Sequence, residues 1–297
     1  MKVRIGYGLG VQGLRDDATF GTLVDGLETN GFDSLWLSER LTGDAPDPLV
    51  GLAFAAGRTT KLKLGTSVQV LPGRNPAEVA KAWASLDRLS NGRALPAFGL
   101  GVADAREQQA FGVSREDRAA WFDEALPLIR RLWSEDDVDH DGPRFTFRGL
   151  SVHPKPVQEP MDVWLGGRAK SELRRVGRQG DGWLPSFSTP AEVAAGRVVV
   201  EEAATAAGRE IDPEHFGALV IYARTEIPEL LAAAVAHRRP GLDPGELVPV
   251  GLAALRAHLE AFLEHGFSKL VLVPVEPKPD WADELGEVAA EILTLQN

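Results

Sequence analysis

Within "FDSLWLSERLTG", the apolar run Ser34-Leu35-Trp36-Leu37 ends in Ser38 and then in an acid beside a base, Glu39 and Arg40. Such a pair can do chemistry. The carboxyl group can give or take a proton, whereas the guanidinium stays charged and can steady negative charge that develops nearby. The plain alternative is a surface ion pair worth under about 1 kcal/mol. A second acid, Asp104, closes the run "FGLGVAD" and can either act in the same chemistry or cap the helix after it. Gly166, Gly167 and Arg168 precede a helix whose free N–H groups favour an anion. Arg74 in "PGRNP" can reach the same region or only fix its own loop.

These residues need elements to hold them. Strands are expected at Val3–Tyr7, Ser34–Leu37, Leu62–Val70, within "RALPAFGLG", and at Asp162–Leu165, Gly182–Leu184, Phe216–Ala223 and Lys269–Pro274. Helices are expected between them, among them Phe20–Asn30, Pro48–Arg58, Pro76–Leu89 and Ser114–Trp133, several opening on proline or an acid. Repeated β-then-α units imply parallel strands with right-handed crossovers. Eight units in 297 residues fit a (β/α)8 TIM barrel with insertion segments at its C-terminal face. An open doubly wound sheet is the other arrangement this pattern allows. The chain reads as a single domain, 1–297, with a loop excursion at about 136–160 that is expected to serve as a lid. In a barrel the catalytic groups sit at the C-terminal strand ends. Those ends carry Glu39, Arg40, Thr66, Ser67, Val68, Gly101, Val102, Asp104 and Gly166 to Arg168. Glycine recurs there, which lets backbone approach a flat ligand.

Composition narrows the classes. A net charge of −11 argues against nucleic-acid or acidic-membrane partners, because the overall field repels phosphate. No cysteine is present, so disulfides, thiolate nucleophiles and cysteine-based metal sites are excluded. The six histidines lack metal-ligand spacing, and no metal is expected. No apolar run reaches the length needed to span a bilayer, and the N-terminus lacks a signal-like stretch. A soluble cytoplasmic protein is the expectation. "GLGVQG" (Gly8, Gly10, Gly13) spells a dinucleotide fingerprint, but acids that look like helix caps follow it. It reads better as a wide turn. Lys170, Arg174, Arg175 and Arg178 read as a solvated helix face, and Trp36 and Trp164 as core.

"FDSLWLSER", "LGTSVQVLPGRNPAEVAKAWASLDRLSNGR", "FGLGVADAREQQAFGV" and "VWLGGRAKSELRRVGRQGDGWLP" together resemble the luciferase-like monooxygenase superfamily. The resemblance is closest to its branch that uses the deazaflavin coenzyme F420, runs through most of residues 1 to 190, and weakens afterwards. It implies a (β/α)8 barrel that binds a deazaflavin or flavin across its C-terminal mouth. Thr66, Ser67, Val68, Gly101, Val102, Gly166, Gly167 and Arg168 would meet the cofactor, with a cis Ser67–Val68 bond against its ring. Glu39, Arg40 and Asp104 would be catalytic. The implied activity is hydride transfer between F420 and a small organic substrate, in a homodimer. The alternatives are an FMN-dependent monooxygenase and a non-catalytic flavin- or deazaflavin-binding protein. One departure stands out: F420-dependent relatives often follow the acid with histidine, and here Arg40 takes that place. Arginine cannot cycle as a base, so proton transfer would fall to Glu39, Asp104 or water.

Overall fold

The computed structural model describes residues 1–10, 17–102 and 104–297. Gly13 of the glycine-rich turn and Asp16, expected as a helix cap, lie outside the described residues. The chain opens with β1 (Arg4–Gly8), α1 (Asp17–Asn30), β2 (Ser34–Leu37) and α2 (Pro48–Arg58). Next come β3 (Lys63–Thr66), β4 (Gln69–Val70), α3 (Pro76–Leu89), β5 (Ala94–Leu95) and β6 (Ala97–Gly99). The expected strand at Leu62–Val70 is therefore two pieces, and the Ser67–Val68 peptide between them is cis. A short helix, α4 (Ala105–Phe111), follows Asp104 and precedes α5 (Arg118–Ser134).

The excursion folds as a hairpin of β7 (Val138–Asp141) and β8 (Thr146–Leu150). Alternation then resumes with β9 (Trp164–Leu165), α6 (Lys170–Gln179), β10 (Gly182–Trp183), α7 (Pro190–Ala206) and β11 (Gly217–Tyr222). The chain ends with α8 (Glu229–Arg238), α9 (Leu252–Glu264), β12 (Lys269–Pro274) and α10 (Trp281–Ile292).

Every pairing outside the β7–β8 hairpin is parallel, and the pairings close a ring. β12 joins β1, β1 joins β2, and β2 joins β3. β3 and β4 pair with β5 and β6, β6 with β9, and β9 with β10. Trp183 bridges to Phe216 at the foot of β11, which returns to β12. Among the described residues this makes a (β/α)8 barrel of eight staves, the third (β3–β4) and fourth (β5–β6) each in two pieces.

Two apolar layers follow from the period-2 alternation of strand side chains. Outward-facing residues such as Ile5, Leu35 and Leu64 pack under the helices, where α3 contributes Val79, Ala80 and Trp83. Inward-facing residues form a separate small core around Trp36 and Trp164, whose rings meet edge-on at 6.5 Å. Glycines make the room. A Cβ on Gly65 would lie 2.5 Å from Trp36, and one on Gly182 would lie 2.5 Å from Trp164. Gly65, beside Thr66 at the end of the third stave, therefore serves indole packing rather than the ligand approach expected of strand-end glycines. Beneath the indoles, buried Lys269 donates to Asp33 (2.9 Å), and its ammonium lies 6.0 Å from the Trp164 ring centre.

The hairpin corrects a second expectation. It runs beside α5, with His140, Arg144 and Phe145 held by Glu124, while Val157 and Gln158 donate to Asp87 of α3. It lies against outer helices rather than over the mouth.

At the opposite end of the barrel, Arg93 donates to the carbonyls of Ala56, Thr59, Leu62 and Ser90 and to the Thr59 hydroxyl, pinning the start of β3. Glu28 of α1 does the same from the other side, accepting from Thr60 N, the Thr60 hydroxyl, Lys61 N and Leu62 N at 2.7–3.1 Å. Burial would raise the Glu28 pKa, but these hydrogen bonds outweigh it and bring it to about 2. Glu28 thus contributes stability above the unfolded carboxyl pKa, and the contribution is lost as pH falls toward 2. Glu28→Gln is expected to cost about 1 kcal/mol at pH 7, allowing for solvent screening of a partly exposed group. Urea unfolding of both proteins across the acid range checks this: the gap should close between about pH 5 and 2.

Candidate active site

A cavity of about 780 Å³ opens at the C-terminal mouth of the barrel. Its wall combines Glu39 and Arg40 after β2, Ser67 and Val68 between β3 and β4, Gly99 to Val102 after β6, and Gly166 and Gly167 after β9. The structure therefore brings most of the expected residues together in one place. Residues 136–160 contribute nothing to this wall; α8 covers the cavity instead, through Leu230, Leu231 and Arg238.

Glu39 is 6% exposed, so both carboxylate oxygens require donors. One accepts from Val70 N (2.7 Å) and the other from the Arg74 guanidinium. Arg74 also donates from Nε to the Val70 carbonyl (2.9 Å), which makes a closed loop of Glu39, Val70 and Arg74. Arg74 thus reaches the mouth and fixes the loop at once. Burial pushes the Glu39 carboxyl above the ordinary carboxylate range, against the pull of Arg74 and the Val70 N–H. A buried acid with a raised pKa in a cleft is a candidate for proton transfer.

Arg40 is held from outside. Its Nε donates to Glu107 Oε1 at 2.6 Å, and the Thr42 hydroxyl donates to the same oxygen at 2.8 Å. Glu107 belongs to α4 and is 2% exposed. Burial favours its neutral form, but the Arg40 and Thr42 hydrogen bonds outweigh that and lower its pKa. Sequence reasoning missed Glu107 because Asp104-x-x-Glu107 spells a capping box, which supplies a local explanation for a residue with a distant partner.

The glycines form a slot. A Cβ on Gly99 would lie 2.5 Å from Val68, and one on Gly166 would stand 3.4 Å from it. Gly101 holds a φ of +83° beside Val70. Val68 and Val70 take up the room those side chains would need, so this side of the cavity presents bare backbone with Ser67 and Val68 packed flush against it. Arg118 fixes one edge of the slot: it is 7% exposed and its Nη1 donates to the carbonyls of Leu100, Gly101 and Val102 at 3.0–3.4 Å. The basic run on α6 divides. Lys170, Arg174 and Arg178 are exposed as expected, but Arg175 is buried against Asp123 (2.6 Å) and borders the cavity.

Three expected residues sit apart from the cavity wall. Thr66 is fully buried and exchanges hydrogen bonds with Ala97, through its hydroxyl to the carbonyl (2.7 Å) and from the N–H (3.0 Å). It stitches the third stave to the fourth. Asp104 caps α4 by accepting from Arg106 N (2.8 Å), and the Arg106 side chain holds its carboxyl below the usual range. Arg168 is exposed at the start of α6. Its N–H and that of Ala169 donate to Glu172 (2.8 and 2.9 Å), so an anion at this helix end would meet a carboxylate already there. Among the described residues no group of three His, Asp or Glu could hold a metal, and no helix is long and apolar enough to cross a membrane.

The Arg40–Glu107 link is testable by stability. Glu107→Gln keeps the shape but leaves Arg40 without its buried counter-charge, and is expected to cost about 2 kcal/mol. Thr42→Val removes one hydrogen bond and should cost about 1 kcal/mol. Equal losses in denaturant titrations would mean that the charge contributes nothing.

The family model described as luciferase-like monooxygenase matches residues 10–266. The F420-dependent glucose-6-phosphate dehydrogenase of Kineococcus radiotolerans is 35% identical over 167 residues, 53% of this chain and 49% of that protein. A phthiodiolone/phenolphthiodiolone dimycocerosates ketoreductase from a Mycobacterium species is 30% identical over 237 residues, 70% of this chain and 62% of that protein. The chain thus spans about half the length of the first of these curated relatives, and rather more of the second. Among solved structures, an F420-dependent secondary alcohol dehydrogenase in complex with an F420-acetone adduct superposes with a TM-score of 0.83 at 20% identity, covering 100% of both chains. An FMN complex of a type II Baeyer–Villiger monooxygenase component from Pseudomonas putida gives 0.78 at 17%, over 100% of this chain and 99% of that one. Both likenesses are of fold, and both share the closed barrel described above. With 10–266 matched on one continuous barrel, the chain belongs to the luciferase-like monooxygenase family.

Proposed function

We propose that this protein is an F420-dependent oxidoreductase that moves a hydride between the deazaflavin and a small organic substrate. The observation that carries the reading is the cavity at the barrel mouth, where the backbone of Gly99, Gly101 and Gly166 lines one wall with Ser67 and Val68, beside a buried acid and a fixed cation. The relatives named for F420 agree with it. When bound, the deazaflavin supplies the two-electron chemistry; the chain's residues bind, orient and manage protons. Ser67, Val68, Gly101 and Val102 would hold the ring, and Gly166 and Gly167 would carry its extension toward α6. Arg168, at the rim, would meet an anionic group there only in company with Glu172. Arg40, kept charged and still by Glu107, steadies negative charge at the ring or the substrate oxygen.

Proton transfer falls to Glu39 in this reading. Of the acids bordering the cavity among the described residues, Glu39, Glu172 and Glu276, it is the buried one, and Asp104 is engaged as a cap. Substrate reduction consumes a proton, so the protonated acid is the active form. The rate of reduction should therefore fall as pH rises through the raised Glu39 pKa. Glu39→Gln is expected to lower kcat by about 10²–10⁴-fold and to flatten that limb of the profile, with cofactor affinity unchanged. An unaltered pH profile would assign Glu39 a bracing role only.

Cofactor choice is read by tryptophan quenching with F420 and, separately, FMN. Micromolar or tighter F420 binding, stronger than FMN, is expected. Gly166→Ala is the informative variant, since its Cβ is tolerated at 3.4 Å from Val68 yet enters the slot. It should weaken F420 at least about tenfold, or about 1.4 kcal/mol, with unfolding unchanged. Preference for FMN would replace this reading by a flavin-dependent monooxygenase.

A further inference from the structure

Resting on the F420 reading, we infer that the substrate is an uncharged, largely apolar carbonyl compound or its alcohol, not a sugar phosphate. The cavity is divided by the order of the staves. The second to fifth staves supply its charges and bare backbone, from Glu39 and Arg40 round to Gly167. The remaining arc, closed by β11, β12 and the cover from α8, is made of Phe187, Leu219, Ile221, Leu231, Val273 and Val275.

Among the described residues, two ionisable side chains border that arc, Arg238 and Glu276. The Arg238 guanidinium lies over the Phe187 ring, 5.2 Å from its centre, and Glu276 would repel a phosphate. A buried phosphate dianion needs several charge-assisted hydrogen bonds, and each sugar hydroxyl needs a partner. Among the described residues this wall provides a single cation, already covering an aromatic face, with the Ser186 loop as its nearby polar backbone. An alkyl or aryl body instead gains about 25 cal/mol for each Å² of apolar surface it hides. Its one oxygen can turn toward Glu39 and Arg40, the polar side of the same cavity. Reduction then forms a C–H bond from hydride and an O–H bond from one proton while the C=O π bond breaks. The two electrons come from the reduced deazaflavin, which is left oxidised.

The test compares 2-octanone with glucose 6-phosphate. Protein loaded with reduced F420 is mixed with 2-octanone, and protein loaded with oxidised F420 with 2-octanol or with glucose 6-phosphate, following the deazaflavin absorbance. The octyl compounds are expected to exceed glucose 6-phosphate at least about 100-fold in kcat/KM. Leu231→Ser should raise KM for 2-octanone several-fold without changing the Kd for F420. Calorimetric titration of 2-octanone into cofactor-free protein gives a second readout. Binding with a negative heat-capacity change, weakened in Leu231→Ser, supports the apolar wall even where F420 fails to bind and the cofactor reading falls. Glucose 6-phosphate turned over as well as octanol would overturn the inference. So would octanone binding that Leu231→Ser leaves unmoved.

Discussion

A carboxylate kept from water at the rim of a barrel must be answered by donors, and much of this mouth is arranged around that demand at Glu39. Val70 N and Arg74 meet its two oxygens, and both come from the far side of the Ser67–Val68 peptide. The second stave is thereby tied across the break in the third. Where β3 ends and β4 begins, backbone bonds still cross from Ser67 N to Leu37 O (2.8 Å) and from Glu39 N to Val68 O (3.2 Å), and the side chain of Glu39 adds a further link beyond them. Ser38 adds a hydroxyl contact to the Ser67 carbonyl at 3.0 Å. Bracing and proton transfer make opposite demands on one group: bracing favours the ionised form, burial the neutral one. Burial prevails here in direction, and it holds the carboxyl above the ordinary range despite both donors.

Rigidity at the mouth depends on what lies beneath. Trp36 and Trp164 fill the barrel at mid-height, and the glycines opposite them let two indoles fit where branched side chains would collide. The floor under Val68 is therefore packed solid. The seam where β1 and β11 flank β12 is secured differently, by buried Glu284 of α10. It accepts from the Tyr222 hydroxyl (2.7 Å) and from Arg224 (3.0 Å), with Tyr7 close by. A charge with no exposure is tolerated because every approach to it carries a donor.

What the sequence disclosed follows the range of the forces involved. Ser34–Leu37, Pro48–Arg58 and Lys269–Pro274 could be read to the residue because apolar runs, proline and caps act within a few positions. The cavity's strand-end residues followed from barrel geometry, and most of them line it. Thr66 was misjudged because a small polar residue at a strand end gives no sign of which neighbour it will bond, and Ala97 stood ready. Asp104 and Glu107 illustrate the same limit. Their spacing explains itself locally as a cap, and only the fold discloses that one is spent on that cap while the other crosses to Arg40. The hairpin was legible as an interruption, but its docking on α5 depends on Glu124, a helix acid with nothing unusual around it.

The two sides of the cavity are also built to different standards. The glycine side is clamped by Arg118 on three carbonyls, by Glu107 on Arg40, and by Trp183, which donates to the Gly167 carbonyl at 3.0 Å. The apolar side is lighter. Its cover, α8, buries Val235 into a small cluster with Ala223, Leu247 and Val248, while Leu230 remains 87% exposed. Fewer buried contacts mean a lower free energy of local opening. A cover of this kind can part to admit a ligand without disturbing the glycine side, because the two sides are built from different staves. A flat cofactor constrains backbone and fixed charges closely, whereas an apolar wall asks only for volume and water exclusion, which many side chains satisfy. The half of the mouth with the most hydrogen bonds is thus the half whose geometry is most closely fixed.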